Sequence, residues 1–197
     1  MIKKFELDLS SKITILGVEL FRIKALISFG DVEKGEIGGY IEKEDNLSHC
    51  GNAWVYGNAR VSGNARVSGN ARVSGNAWVY GNARVSGNAR VSGNAWVYGN
   101  ARVSGNAWVY GNARVSGDAR VSGDARVSKL NDYILFKNTW SSGRYFTYTK
   151  SNKMWRVGCF YGTGEELIKK AYEDSEKSGK HYETYVNFVK TLEALDK

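Results

Sequence analysis

From residue 51 to residue 128 the apolar positions recur every six residues without a slip. Each unit reads Gly-Asn/Asp-Ala-Arg/Trp-Val-Ser/Tyr, thirteen times in succession. Within a unit Ala and Val alternate with larger or polar residues, as in a short strand with one buried face. Gly-Asn is a turn signal, since both residues tolerate positive φ. A helix is excluded, because Val returns only every sixth residue and each Gly-Asn would interrupt it. Six residues cannot bury their own apolar side, so the units must stack into a solenoid. Ala and Val then point inward, while Arg or Trp and Ser or Tyr point outward.

The flanks follow other periods. Residues 3–27 alternate in two runs, 5–9 and 13–27, and predict a β-hairpin over the N-terminal end of the stack. Residues 133–137, 144–150 and 154–160 are strand-like. Thr163-Gly164-Glu165-Glu166 has capping-box spacing and opens a helix to about Lys177. Ser178-Gly179 predicts its end, and Tyr182, Tyr185, Val186, Val189 and Leu192 mark one face of a second helix. Solenoids need such covers, because a bare terminal coil exposes its core and its strand edges.

Written Val-Ser-Gly-Asn-Ala-Arg, the unit resembles the hexapeptide repeat of left-handed parallel β-helix proteins. Gly-Gly-Tyr-Ile-Glu (38–42), Asn-Leu-Ser (46–48) and Gly-Asn-Ala-Trp-Val-Tyr (51–56) resemble phage and prophage hexapeptide-repeat proteins of poorly defined function. Val-Gly-Cys-Phe (157–160) and Gly-Thr-Gly-Glu-Glu-Leu (162–167) resemble the tail of the same group. The resemblance implies a mainly β chain built on a left-handed parallel β-helix, with three hexapeptides per triangular coil. The expected divisions are an N-terminal β cap over 1–38, the β-helix over 39–128 and a small α+β cap over 129–197. Leu47 and Ile41 extend the Ala slot backwards to give five coils, but Lys43 and His49 fall in the inward Val slot. The first coil must therefore be irregular or covered.

An eighteen-residue coil sorts the outward side chains into ladders about 4.8 Å apart. One face carries Arg66, Arg84, Arg102 and Arg120. A second carries Arg60, Trp78, Trp96 and Arg114, with Tyr80 over Tyr98. The third runs Trp54, Arg72, Arg90, Trp108 and Arg126, where Arg neighbours suit the two tryptophans to cation–π contacts.

Charge sharpens this picture. Residues 51–128 hold nine Arg against two Asp, so they supply seven of the eight net positive charges. Arginines at ladder spacing repel by about 1 kcal/mol per neighbouring pair in water. An anionic partner relieves that repulsion, and guanidinium suits phosphate and carboxylate. The alternative is a solvated face copied by recent duplication of one Arg-bearing unit. The Trp78, Trp96, Tyr80 and Tyr98 patch is read as an interface for self-association or bases. Its alternative is a stack that only stabilises the sheet.

The best-known hexapeptide β-helices are acyltransferases with a histidine base and a projecting loop. This array has no insertion and no His between residues 50 and 129. Cys50 and Cys159 lie far apart without metal-site spacing. Gly162-Thr163-Gly164 lacks the lysine of a phosphate loop. No catalytic set, metal or cofactor is nominated.

No stretch matches a bilayer span, and the start shows no signal core, so the expected location is cytoplasmic. The expectation is a non-enzymatic, phage-type scaffold, a homo-oligomer (dimer or trimer). Its basic face would engage nucleic acid, a nucleotide or an acidic host protein, inhibiting a host defence factor. An acyltransferase-like enzyme and a structural virion component are the alternatives.

Overall fold

Each repeat folds as a two-residue strand between turns, and the computed structural model describes residues 2–195. The strands β4 to β16 are the Arg-Val or Trp-Val pairs from Trp54–Val55 to Arg126–Val127. Strands eighteen residues apart pair in parallel, as in Arg84↔Arg102 and Trp78↔Trp96, which gives three sheets around one core. Every Ala and Val of the repeats is 0% exposed, so alternation alone defines the inward face. The fold is a parallel β-solenoid of about five turns.

Gly takes the positive φ at each corner and Asn does not. Gly87 has φ 67°, and a Cβ there would meet the backbone of Gly105, so the stack itself excludes other residues. Asn serves differently from the turn role expected of it. Its side-chain amide donates to the Asn eighteen residues on, as in Asn64 to Asn82 to Asn100. Two of these ladders end on a carboxylate, Asp118 and Asp124. The last member of each ladder has nothing further to donate to and only accepts. Carboxylates fill that role at Asp118 and Asp124, and the amide oxygen fills it at Asn112, where the third ladder ends.

The N-terminal residues form β1 (Phe5–Ile15) and β2 (Val18–Ala25), joined through Leu16 and Gly17, both at positive φ. The turn thus falls later than the two runs suggested, and Leu9, Ser10 and Ser11 bulge out of β1 between the paired Asp8 and Lys12. The hairpin covers the coil end with Phe5, Ile23 and Ala25, which are buried in the solenoid core. It also pairs antiparallel with β3 (Ile37–Ile41), which pairs parallel with Arg60–Val61, extending one solenoid face to seven strands. Lys4, Phe29 and Val32 complete the cover. The inward-slot conflict is resolved locally. Ile41 pairs with Val61 and Leu47 bridges Val67, so both take the Val slot and not the expected Ala slot. The two extra residues fall between Leu47 and Gly51, after which the eighteen-residue pairing begins at Trp54. His49 stacks on Phe5 at 4.3 Å and accepts the Lys4 N–H.

Carbonyls at this end receive side-chain donors. Asn46 Nδ2 donates to the oxygens of Gly63 and Ala65, and Arg22 Nη1 to those of Gly38 and Gly57. Lys4 Nζ donates to Gly51 O and Ala53 O and is 1% exposed. Burial pulls its pKa down to about 8, against a smaller opposing effect of Cys50. The folded chain gives up this proton before the unfolded chain does. Between about pH 8 and pH 10.4 the unfolded state therefore holds the Lys4 proton more tightly, and the Lys4 contribution to stability should rise with pH, by about 3 kcal/mol at most. The difference in denaturant stability between wild type and Lys4→Met should shift in favour of wild type by that amount across the window, since the raised tyrosine pKa values act equally on both.

After Ser128 the chain forms a four-stranded antiparallel sheet: β17 (Tyr133–Lys137), β18 (Tyr145–Thr149), β19 (Met154–Val157) and β20 (Phe160–Gly162). Alternation splits its faces. Tyr133 and Leu135 pack on the solenoid core, whereas Ile134, Phe136, Phe146 and Trp155 pack under the helices. Thr147 Oγ1 and Ser151 Oγ accept the backbone N–H groups of Arg120 and Arg126, and Asp132 accepts that of Ser128.

Helix α1 (Gly164–Asp174) starts with the expected capping box between Thr163 and Glu166. Its end is at Ser175 and not at Ser178-Gly179, and α2 runs Glu176–Leu195. Gly179 lies inside α2, where a Cβ would collide with the Tyr172 ring. Close helix packing, and not chain termination, explains that glycine.

Candidate anion-binding face

The two-residue strands place Arg66, Arg84, Arg102 and Arg120 on one sheet in strict register. Valine alternates with each, so every guanidinium projects away from a fully buried neighbour. Arg66, Arg84 and Arg102 are exposed, and Arg120 is half-buried because its Nη1 donates to Gly158 O at 3.1 Å. Among the described residues none of the four makes a salt bridge.

Both ends of this face are raised. At the N-terminal end Asp45, Asn46, Leu47 and His49 form a wall beside Arg66 and Arg84. At the other end the terminal sheet overhangs the ladder and encloses a cleft of about 720 Å³. Its walls hold Arg84, Arg102 and Arg120 together with Arg144 and Arg156 from the terminal sheet. Asp118 is the one acid there, and it accepts the Asn100 amide at 3.2 Å. Repeat spacing gave no signal for Arg144 and Arg156, which lie outside the array. Only the cap's packing on the last coil brings them in. They also bear on the origin of the positive charge, because duplication of one unit cannot account for them.

The aromatic face is assembled as the register predicted. Tyr80 stacks on Tyr98 at 5.0 Å, Trp78 meets Trp96 edge-on at 5.8 Å, and the Arg114 guanidinium lies 4.9 Å over Trp96. All four aromatic side chains are half-buried within the single chain, and Trp78 Nε1 donates to Ser62 Oγ. Burial, together with the Tyr98 ring beside it, raises the Tyr80 pKa, with Arg114 opposing.

On the third face Trp54 departs from expectation. It is 0% exposed, packed edge-on against Phe5 and Phe29, and Arg72 turns from it to form a bidentate pair with Asp31. The N-terminal cover takes the place of the cation–π partner. Trp108 is 37% exposed, packs at a tilt on Tyr110 at 4.7 Å and donates to Ser92 Oγ.

His49 and His181 each stack on an aromatic ring, Phe5 and Trp140 respectively, and lie in separate parts of the molecule. Among the described residues no group of three His, Cys, Asp or Glu side chains is placed to hold a metal, and no helix is long and apolar enough to cross a membrane.

The repeat array is similar to the YdcK beta solenoid repeat family, which matches residues 53–68, 65–81, 83–99, 95–111 and 107–121. The successive matches follow the structural stacking along the array. No curated protein matches the chain.

Proposed function

We propose that this solenoid is a non-enzymatic binding scaffold whose arginine face engages a phosphate-bearing partner, a nucleic acid or nucleotide. The observation that carries the reading is the in-register row of Arg66, Arg84, Arg102 and Arg120, without a salt bridge among the described residues and continued by Arg144 and Arg156. A row of one sign at regular spacing suits a polymer that carries a charge at every residue. Guanidinium also meets phosphate with paired hydrogen bonds. The resemblance to phage and prophage repeat proteins supports a place in an infected bacterial cell. Withholding the ligand from a host defence factor is the role we assign there.

Fluorescence anisotropy with a labelled single-stranded oligonucleotide tests this. Four arginine–phosphate contacts should give a log–log salt slope of about −3. Arg84→Glu with Arg102→Glu should at least halve the slope and weaken binding by about a hundredfold, since two attractive contacts become repulsive. Both side chains are exposed, so the melting temperature should stay unchanged. Equal binding by wild type and the double variant would remove the face from consideration. Binding of polyglutamate but not of the oligonucleotide would point to an acidic protein instead.

A further inference from the structure

We infer that the cleft between the arginine ladder and the terminal sheet is a discrete site for a nucleoside-borne oligophosphate, with the phosphates among the arginines and the base against Tyr145. This deepens the proposed phosphate-binding role of the face and rests on it.

Three observations converge. The cleft draws its charge from two parts of the chain with different histories. Arg84, Arg102 and Arg120 come from repeats, whereas Arg144 precedes β18 and Arg156 lies within β19. Nothing in repeat copying requires the cap to aim two more arginines at the ladder's last rungs. The cap is also fixed there, because Arg120 Nη1 donates to Gly158 O and Thr147 accepts the Arg120 N–H.

The charge, too, is uncompensated. Five arginines face one aspartate, and among the described residues Arg84, Arg102, Arg144 and Arg156 have no ion-pair partner. A triphosphate carries about four negative charges at neutral pH, which balances that set. Extended row and enclosed cleft differ in what they favour. The open part of the face offers one guanidinium per rung, but the cleft surrounds a ligand with several, which suits charge concentrated on a few adjacent phosphates.

Shape adds the third observation. The volume of about 720 Å³ lies within the range of small-ligand sites. Tyr145 stands at the lip, 39% exposed, and offers a ring to a base.

Isothermal titration of the intact protein with sodium tripolyphosphate, ATP and AMP tests the inference. Tripolyphosphate and ATP should bind saturably and AMP far more weakly. Arg144→Ser and Arg156→Ser should each weaken ATP by about tenfold or more, and Arg66→Ser, on the open row, by about twofold at most. Tyr145→Ala should weaken ATP and leave tripolyphosphate unchanged. Oligonucleotides bearing a 5′-triphosphate or a 5′-hydroxyl separate the two sources of the group. If the triphosphorylated strand binds more tightly than ATP, the ligand is a strand end; the reverse order makes it a free nucleotide. Equal weakening by Arg66→Ser and Arg156→Ser would overturn the inference in favour of diffuse attraction, as would AMP binding as tightly as ATP. If no triphosphate binds but the oligonucleotide still responds to Arg84→Glu with Arg102→Glu, the cleft inference fails and the face stands.

Discussion

Deleting a single repeat, residues 87–92, should leave the protein folded but break its arginine face, whereas deleting a whole coil, residues 87–104, should leave the face in register. The reason is the eighteen-residue pairing of the strands, with Ala and Val alone facing the core. Any hexapeptide stacks on any other through the same Ala and Val, so both deletions preserve the interior. They differ in what they do outside. Removal of six residues moves everything after the deletion by one face. Arg84 then stacks on Trp108, and Arg102 and Arg120 pass to the face of Trp78. Removal of eighteen residues stacks Arg84 on Arg120 and shortens the row by one rung.

Single-stranded oligonucleotide binding should report this directly. The single-repeat deletion moves Arg102 and Arg120 out of the row and brings Trp108 and Arg126 into it. Only Arg66 and Arg84 then remain neighbours, and Arg126 lies beyond an uncharged rung. The salt slope should flatten by between about 0.7 and about 1.4, with at least a tenfold loss of affinity. The coil deletion removes one and should flatten it by about 0.7. Compact triphosphates should distinguish the row from the cleft in the single-repeat variant, since Arg102, Arg120, Arg144 and Arg156 move together with the cap. Weaker binding of the long strand by the coil deletion, which loses Arg90 and Arg102 where the other loses Arg90 alone, would mean that net charge governs binding and not the continuity of the row. Unfolding of the coil deletion would contradict the interchangeability of the rungs.

The same interchangeability explains what the sequence reveals and what it hides. Six-residue periodicity dictates the solenoid because the Ala and Val slots have one geometric solution. The ladders of Arg66 to Arg120 and of Trp78 and Trp96 then follow from the eighteen-residue coil. Legibility ends where the period ends. The N-terminal hairpin reads as a lid by its alternation, and it buries Phe5, Ile23 and Ala25 on the core; that it also joins a sheet edge and extends a face is something alternation does not announce. Trp54 sits in an outward slot, and only the non-repeated Phe5 and Phe29 bury it. Arg144 and Arg156 are ordinary residues of a cap, and their approach to Arg102 and Arg120 depends on contacts such as Thr147 with the Arg120 N–H, which no spacing announces. The Asp118 and Asp124 substitutions were visible as departures from Asn, but their meaning requires knowing that the side-chain ladder runs towards them.

Ending the chain at Ser128 should convert the protein into large assemblies, because the terminal sheet both covers the last coil and occupies its open edge. Tyr133 and Leu135 lie against the solenoid core, and Val115, Val121 and Val127 of the last coil are 0% exposed beneath the cap. Uncovering three valines forfeits on the order of 5 kcal/mol, comparable with the stability of a whole domain. Nearest-neighbour stacking confines that loss to the end, so the interior coils should persist while the last one frays. The backbone N–H groups of Arg120, Arg126 and Ser128 would lose Thr147, Ser151 and Asp132, and a two-residue edge with unpaired donors is a template for another chain. Light scattering coupled to gel filtration should therefore show the truncated chain eluting far ahead of the intact one, increasingly so with concentration. Thr147→Val separates the two causes. It removes one acceptor without uncovering the core, so it should lower the melting temperature without changing the size. If the truncated chain matched the intact one in size and melting temperature, the last coil would need no cover, and the sheet's position beside the arginine ladder would have to be explained by the ligand alone.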